Sequence, residues 1–344
     1  MTKLILHIGY GKTGTTHLQS AFQQNHTALL DQGVLYPIMR NGFTKHAPLV
    51  PHIAALKNPS PYHQIWAESD PISESRHHWE DTVAQISSAQ PHTVVLSDES
   101  FINCHGRTAE MAACLSPYFN EICAVAYVES PQKLFLKTMQ QWLKTRGIAN
   151  TGRAQPYRKQ LSSFAANPVF DFQAHIYDVA GFPNGDILAH FTDLYCPEWP
   201  NIDAVHASGA KNRGFSAEAM SVAETYGAFL HEDNLAARIQ KWSGVCRTII
   251  AADAAVTGYE RPKLLEPVAD HIQRSHPDLL WLRDRFGLEF RDVDYTIASS
   301  DPEVAHPPLK VGSLCPVNSD RKAELLAYVV KQLGAPQSIT FASP

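Results

Sequence analysis

The chain has 344 residues, of which 44% are hydrophobic and 18% charged. That is the composition of a folded globular protein rather than of a disordered, collagen-like or coiled-coil one. The formal charge of −5, from 29 Lys and Arg against 34 Asp and Glu, argues against a general nucleic-acid binder, because affinity for a phosphate backbone calls for a basic domain.

At about 100 to 200 residues per domain, this length allows two or three domains or one large α/β unit. Six cysteines, Cys104, Cys114, Cys123, Cys196, Cys246 and Cys315, show neither a C-x-x-C pair nor zinc-finger spacing, so a reducing compartment is expected. Lys3 leads into a short apolar run that stops at a Gly-rich loop, with no signal-peptide core of normal length. The apolar run from Ile122 to Val128 falls far short of the roughly 18 to 20 residues that cross a bilayer. A cytoplasmic protein without a membrane span is expected.

Leu4 to Ile8 is almost wholly apolar and ends in glycines, as a central strand buried on both faces does. Thr15 to Gln24 follows with Leu18, Ala21 and Phe22 at helical spacing, which completes a strand–loop–helix unit. Thr93 to Leu96 and Ile122 to Val128 read as further buried strands, and Asp186 to Phe191 as a fourth. Helical patterns over His78 to Ser88, Ala109 to Tyr118 and Gln132 to Thr145 lie between them. This alternation predicts a three-layer α/β core over residues 1–205, with a central parallel sheet flanked by helices.

From Asn41 to Ser75 the chain is rich in Pro, His and Asn with little periodicity, which predicts a functional insertion, a lid on the substrate side. Cys196 to Arg213 reads as a connector. Residues 206–344 are predicted to be mainly helical, with candidates at Ala217 to Leu230, Leu235 to Ala252, Leu264 to Ser275 and Arg321 to Leu333. They form either a separate domain or a cap packed on the core.

The chemistry is concentrated in His7 to Thr16, HIGYGKTGTT, between a buried strand and a helix N-terminus. Glycines there permit positive φ and close backbone approach, while unpaired N–H groups and the positive end of the helix dipole face an anion. Gly9 and Gly14 have the spacing of the nucleotide-binding G-x-x-x-x-G-K-[ST] loop, but the loop lysine is Lys12, two residues before the second glycine rather than after it.

A Lys-Thr-Gly-Thr-Thr string after a first strand resembles the phosphosulfate-binding loop of the PAPS-dependent sulfotransferases, of form P-K-[ST]-G-T-T. LLDQGVLYP (Leu29 to Pro37), VVLSDESF (Val94 to Phe101), VAYVESPQKLFLKTMQQWLKTRG (Val125 to Gly147) and DLLWLRDRFGLEF (Asp278 to Phe290) are similar to bacterial carbohydrate-sulfotransferase-like proteins. The resemblance implies a P-loop-type fold and a sulfuryl transfer from phosphoadenosine phosphosulfate (PAPS) to a hydroxyl, carbohydrate by preference. Adenosine 3′,5′-bisphosphate would be the product, and the chemistry requires no metal. Position by position, Lys12 would bridge the leaving group and the transferred sulfuryl, and Gly11, Thr13, Gly14, Thr15 and Thr16 would hold the 5′-phosphosulfate. Negative charge developing on the bridging oxygen is what a fixed ammonium and loop N–H groups stabilise.

The acceptor hydroxyl needs a base. Glu99, at the carboxyl end of an expected central strand, stands where ligands of open parallel sheets bind, and Asp98 is its neighbour and rival. His46 in the insertion is a second base candidate, while His7 on the first strand reads as a core histidine.

In the family the strand matching Val125 to Val128 ends in an Arg, followed by a Ser on the next helix, and the two hold the 3′-phosphate. Here those positions are Glu129 and Lys137. Three explanations are open: Lys133 or Lys137 takes over the phosphate, with Ser130 as substitute hydroxyl and Arg213 adding a contact; the correspondence is shifted along the chain; or the donor or activity has changed. Local charge favours the first, since Ser130 to Phe170 holds seven basic residues and no Asp or Glu. Two other readings stand beside the transferase. One is a P-loop kinase or nucleotide hydrolase, for which VVLSDE also has the look of a supporting strand. The other is a family member that has lost catalysis and acts as a binding protein.

Overall fold

The computed structural model describes residues 2–59, 67, 69–149, 156–197, 214–230, 235–299 and 310–333. The chain divides into two compact units, the first made of Met1–Glu129, Pro156–Ala207 and Leu282–Phe290, the second of Ser130–Gln155, Ser208–Trp281 and Arg291–Pro344.

The first unit is α/β. Its strands β1 (Lys3–Gly9), β2 (Val34–Leu35), β3 (Thr93–Ser97), β4 (Glu121–Val128) and β5 (Phe170–Ile176) form one all-parallel sheet of order β2-β3-β1-β4-β5. Helices α1 (Thr15–Gln24), α2 (His26–Asp31), α3 (Val50–Ile53), α4 (Pro71–Ala89), α5 (Thr108–Leu115), α7 (Tyr157–Ala166) and α8 (Ile187–Tyr195) flank it. Leu4, Ile5, Leu6 and Ile8 are wholly buried, because a strand central in a parallel sheet is covered on both faces. From β1 the chain crosses toward β2, whereas from β4 it crosses toward β5. The crevice outside the carboxyl ends of β1 and β4 is therefore a switch point, the usual ligand position in such sheets.

Three of the expected strands form where the apolar runs place them. Asp186 to Phe191 instead opens a helix: the Asp186 carboxylate accepts from Leu188 N at 2.9 Å, and Ile187, Leu188, Phe191 and Tyr195 are buried at helical spacing. The fourth long strand is β5, where Phe170, Phe172, Ala174 and Ile176 alternate with Asp171, Gln173 and His175 with the period of two of a strand. The insertion is also more ordered than expected. Within it lie short 3-10 turns at Arg40–Gly42 and Ala47–Leu49, then α3 and the start of α4. Ala47, Leu49, Val50, Ile53 and Ala54 are buried, so this part of the segment packs as core rather than as a lid.

The second unit is helical, with α6 (Pro131–Arg146), α9 (Ala217–Ala228), α10 (Leu235–Ala255), α11 (Glu266–Ser275), α13 (Val311–Leu314) and α14 (Ser319–Leu333). The helix α12 (Leu279–Phe286) straddles the division at Trp281. The expected boundary near residue 205 is thus displaced. Helix α6 belongs to the helical unit because Met139 and Leu143 join a core with Phe215, Met220, Trp242 and Val329, and the Trp242 indole N–H donates to Leu143 O at 2.8 Å. Arg321 is buried with Glu218 and Asp253 at 3.0 and 2.8 Å, and also donates to Ser216 Oγ at 2.7 Å. Such a network is costly to break because a lone buried charge would remain.

Among the described residues no helix is long and apolar enough to cross a membrane. The six cysteines are unpaired.

In α9 a Cβ on Gly227 would lie 1.6 Å from Gly147 O. Gly227→Ala is therefore expected to destabilise the protein by on the order of 3 kcal/mol, the upper range for overpacking a closed site, read as a lowered midpoint of chemical unfolding. An unchanged midpoint would mean that the two backbones do not meet this closely.

Candidate functional site

The site is built on the turn from β1 to α1. The sheet register shifts between His7 and Gly9, and Tyr10 N donates to Tyr127 O at 3.3 Å, which ties the loop to β4. Gly9 has φ +95°, and a Cβ there would lie 2.9 Å from Glu99 Cα. Only glycine allows the loop to approach the chain after β3 this closely. Thr13 Oγ1 donates to Tyr10 O at 2.5 Å, closing the loop on itself.

Gly14, at φ +77°, begins α1 without a side-chain cap. The first bonds of the helix run from His17 N and Leu18 N to Gly14 O, at 3.0 and 3.2 Å. The amides of Thr15 and Thr16 therefore precede the first closed turn, at the positive end of the helix dipole. Thr13 and Thr15 are buried, Lys12 and Thr16 are exposed, and a Cβ on the half-buried Gly11 would meet only open space. Lys12 itself has φ +72°, a left-handed conformation that costs a lysine roughly 1–3 kcal/mol and is characteristic of functional loops. Gly11 to Thr16, the six residues to which the resemblance gives the phosphosulfate, span the turn and the first two residues of α1.

Across from the loop, β3 ends in two carboxyl groups. Asp98 is wholly buried; Oδ1 accepts from Ser100 N at 2.7 Å, and Oδ2 has no hydrogen-bond partner. Burial first, then the Glu99 charge, pushes the Asp98 carboxyl up to about 6. Glu99 goes the other way. Burial pushes its carboxyl up, but Lys45, with Nζ 3.0 Å from Oε1, together with a backbone N–H and the Gln19 side chain, outweighs burial and leaves it below the usual range. Lys45 was missed in the sequence because a lone lysine in a Pro/His-rich stretch carries no pattern.

His46 is not a base here. Ser97 N donates to its Nδ1 at 2.9 Å, so Nε2 carries the proton and donates to Pro37 O at 3.0 Å. Both ring nitrogens are committed to backbone, and burial holds the imidazole neutral, at about 4. His7 is buried as expected of a core histidine, with Nδ1 2.8 Å from Ser97 Oγ.

No family model, curated protein or solved structure matches this chain.

The residues expected to hold the 3′-phosphate lie in the helical unit. Ser130 begins α6 and its hydroxyl donates to Asp292 Oδ2 at 2.6 Å, while Lys133 Nζ is 3.4 Å from the same carboxylate and Gln132 donates to it at 3.1 Å. Ser130 and Lys133 are thus turned onto an acidic residue that sequence reasoning did not single out, more than 150 positions away. Lys137 is half-buried on α6, and Arg213 lies outside the described residues. Glu129 closes β4 in the first unit, buried, with the Tyr157 hydroxyl donating to its carbonyl at 2.9 Å.

Asp98 sets a pH dependence of stability. Its carboxyl titrates near 6 in the fold against an ordinary 3.8, so between these values the folded state binds the extra proton and stability falls as pH rises. Asp98→Asn keeps an acceptor oxygen for Ser100 N and removes the charge. It should raise Tm at pH 7.5, with the gain vanishing toward pH 4; a gain equal at both pH values would refute the assignment.

Proposed function

We propose that the chain is a sulfotransferase that moves a sulfuryl group from PAPS to a hydroxyl acceptor. The observation that carries this reading is the β1–α1 loop, where an exposed Lys12, held at positive φ, precedes a helix start that no side chain caps. Such a start offers backbone N–H groups and a partial positive charge to an oxyanion. The position of Lys12, before rather than after the second glycine, favours phosphosulfate over the usual nucleotide triphosphate. Lys12 neutralises the charge that grows on the bridging oxygen as the sulfur–oxygen bond to phosphate breaks. Glu99 takes the proton of the acceptor hydroxyl as its oxygen bonds to sulfur, and the carboxylate is ionised for that role because Lys45 stands on it. A carbohydrate acceptor rests on the family resemblance.

The ending of β3 in Asp98 and Glu99 also suits a kinase or nucleotide hydrolase, which would use ATP and Mg²⁺. Calorimetry with adenosine 3′,5′-bisphosphate, AMP, and ATP with and without Mg²⁺ separates the readings. Preferential metal-free binding of the bisphosphate is expected, whereas binding of ATP with Mg²⁺ alone would transfer the assignment to the kinase, and no nucleotide binding would favour a non-catalytic protein.

Lys12→Ala should lower the turnover of sulfuryl transfer by about 100-fold or more, as removal of a donor to a developing oxyanion does. Its thermal unfolding should be no less cooperative than that of the parent, since the side chain is exposed. Retained turnover would remove Lys12 from the reaction.

A further inference from the structure

Residues 44–46 form a short span whose two outer members are fixed and whose central member is Lys45. On one side the Tyr36 hydroxyl donates to Thr44 O at 2.7 Å. On the other, His46 N donates to Ser97 O at 3.1 Å, Ser97 N returns a bond to His46 Nδ1 at 2.9 Å, and His46 Nε2 donates to Pro37 O at 3.0 Å. The Tyr36 and His46 rings pack edge to face with centroids 4.5 Å apart, and Tyr36, His46 and Ser97 are buried. Lys45 is thus presented by backbone that is anchored both to the segment after β2 and to the end of β3. Its ammonium reaches Glu99 Oε1 at 3.0 Å with only 18% of the side chain exposed.

We propose that Lys45 is a positioning residue for Glu99, fixing the orientation and the charge of the carboxylate that receives the acceptor's proton. The proposal rests on the sulfotransferase reading above and deepens it. Glu99 Oε2 is sealed from solvent with no hydrogen-bond partner, so Oε1 is the oxygen left to meet an acceptor. A carboxylate oxygen has room for a second donor beside Lys45, and the acceptor O–H takes that place.

The titratable groups around Glu99 leave this task to Lys45. Asp98 adjoins it with a buried carboxyl that opposes a second negative charge, and behind Asp98 the Cys104 thiol is pushed up by burial to about 11. From β1 comes His7, which burial holds neutral at about 4. Tyr36, after β2, has its hydroxyl pushed well up by burial and remains a neutral donor. With Lys45 removed, burial and the Asp98 charge would raise Glu99 and leave its carboxylate a smaller ionised fraction at acid pH, with the Gln19 side chain and the backbone N–H still holding part of the charge.

The test uses the full-length protein, Lys45→Met and Lys45→Arg, with two readouts. One is the Glu99 carboxyl titration, followed by carbon-13 NMR and assigned with Glu99→Gln. The other is the pH profile of kcat for transfer from PAPS, measured beside calorimetric affinity for adenosine 3′,5′-bisphosphate. In Lys45→Met both the Glu99 titration and the acid limb of kcat should move up by about one pH unit or more, and Lys45→Arg should bring both back toward the parent. Bisphosphate affinity should fall far less than kcat, since the Lys45 ammonium is paired with the Glu99 carboxylate. A Glu99 titration that stays in place overturns the proposal, as does one that moves while the acid limb does not. Full turnover in Glu99→Gln would overturn the base assignment and with it the role of Lys45. Absence of bisphosphate binding by the parent protein would instead overturn the transferase reading, and the positioning role would fall with it.

Discussion

The backbone at Gly9 comes so close to Glu99 that even a methyl group would collide, and the architecture of the site follows from that approach. It brings the end of β1 and the end of β3 into one crevice, where Lys12 and the uncapped start of α1 supply positive charge and Asp98 and Glu99 supply negative charge. Neither pair of features is informative alone: tight turns have glycines, and strands often end in acids. Juxtaposed at the carboxyl edge of a parallel sheet, they form a place where an anion and a proton acceptor can face each other.

The acidic side of this crevice shows how environment separates two chemically similar groups. Asp98 and Glu99 are consecutive and each has one buried, unmatched carboxyl oxygen, but Asp98 is wholly buried and Glu99 carries a lysine. Their ionisation is driven in opposite directions as a result, the arrangement by which one strand end keeps a charged carboxylate beside a partly neutral one near neutral pH.

The sequence made the central strands legible because burial on both faces leaves an unbroken apolar run, as in Leu4 to Ile8 and Ile122 to Val128. Edge strands carry a weaker signal: β2 has two residues, and β5 alternates too briefly to stand out beside the apolar Ile187 to Tyr195. The loop from Gly9 to Thr16 was legible because glycine spacing and a lysine are local signals. Lys45, the commitment of His46 to backbone and the capture of Ser130 and Lys133 by Asp292 were not, since each depends on partners between 9 and 162 positions away. The pattern that suggested a lid between Asn41 and Ser75 was read from composition, and composition does not reveal that its few apolar residues are buried together.

The two units are interleaved along the chain, the helical one taking Ser130–Gln155 from the middle of the other and the α/β one reclaiming Leu282–Phe290 near the end. Phe286, in that late segment, packs against Phe172 of β5 with ring centroids 5.6 Å apart. No single cut can therefore release either unit whole, and a fragment ending near residue 205 would lack part of the very unit it was meant to contain. During synthesis from the N-terminus, the sheet is complete long before, but the α/β unit must wait for its last residues until most of the helical unit has already emerged.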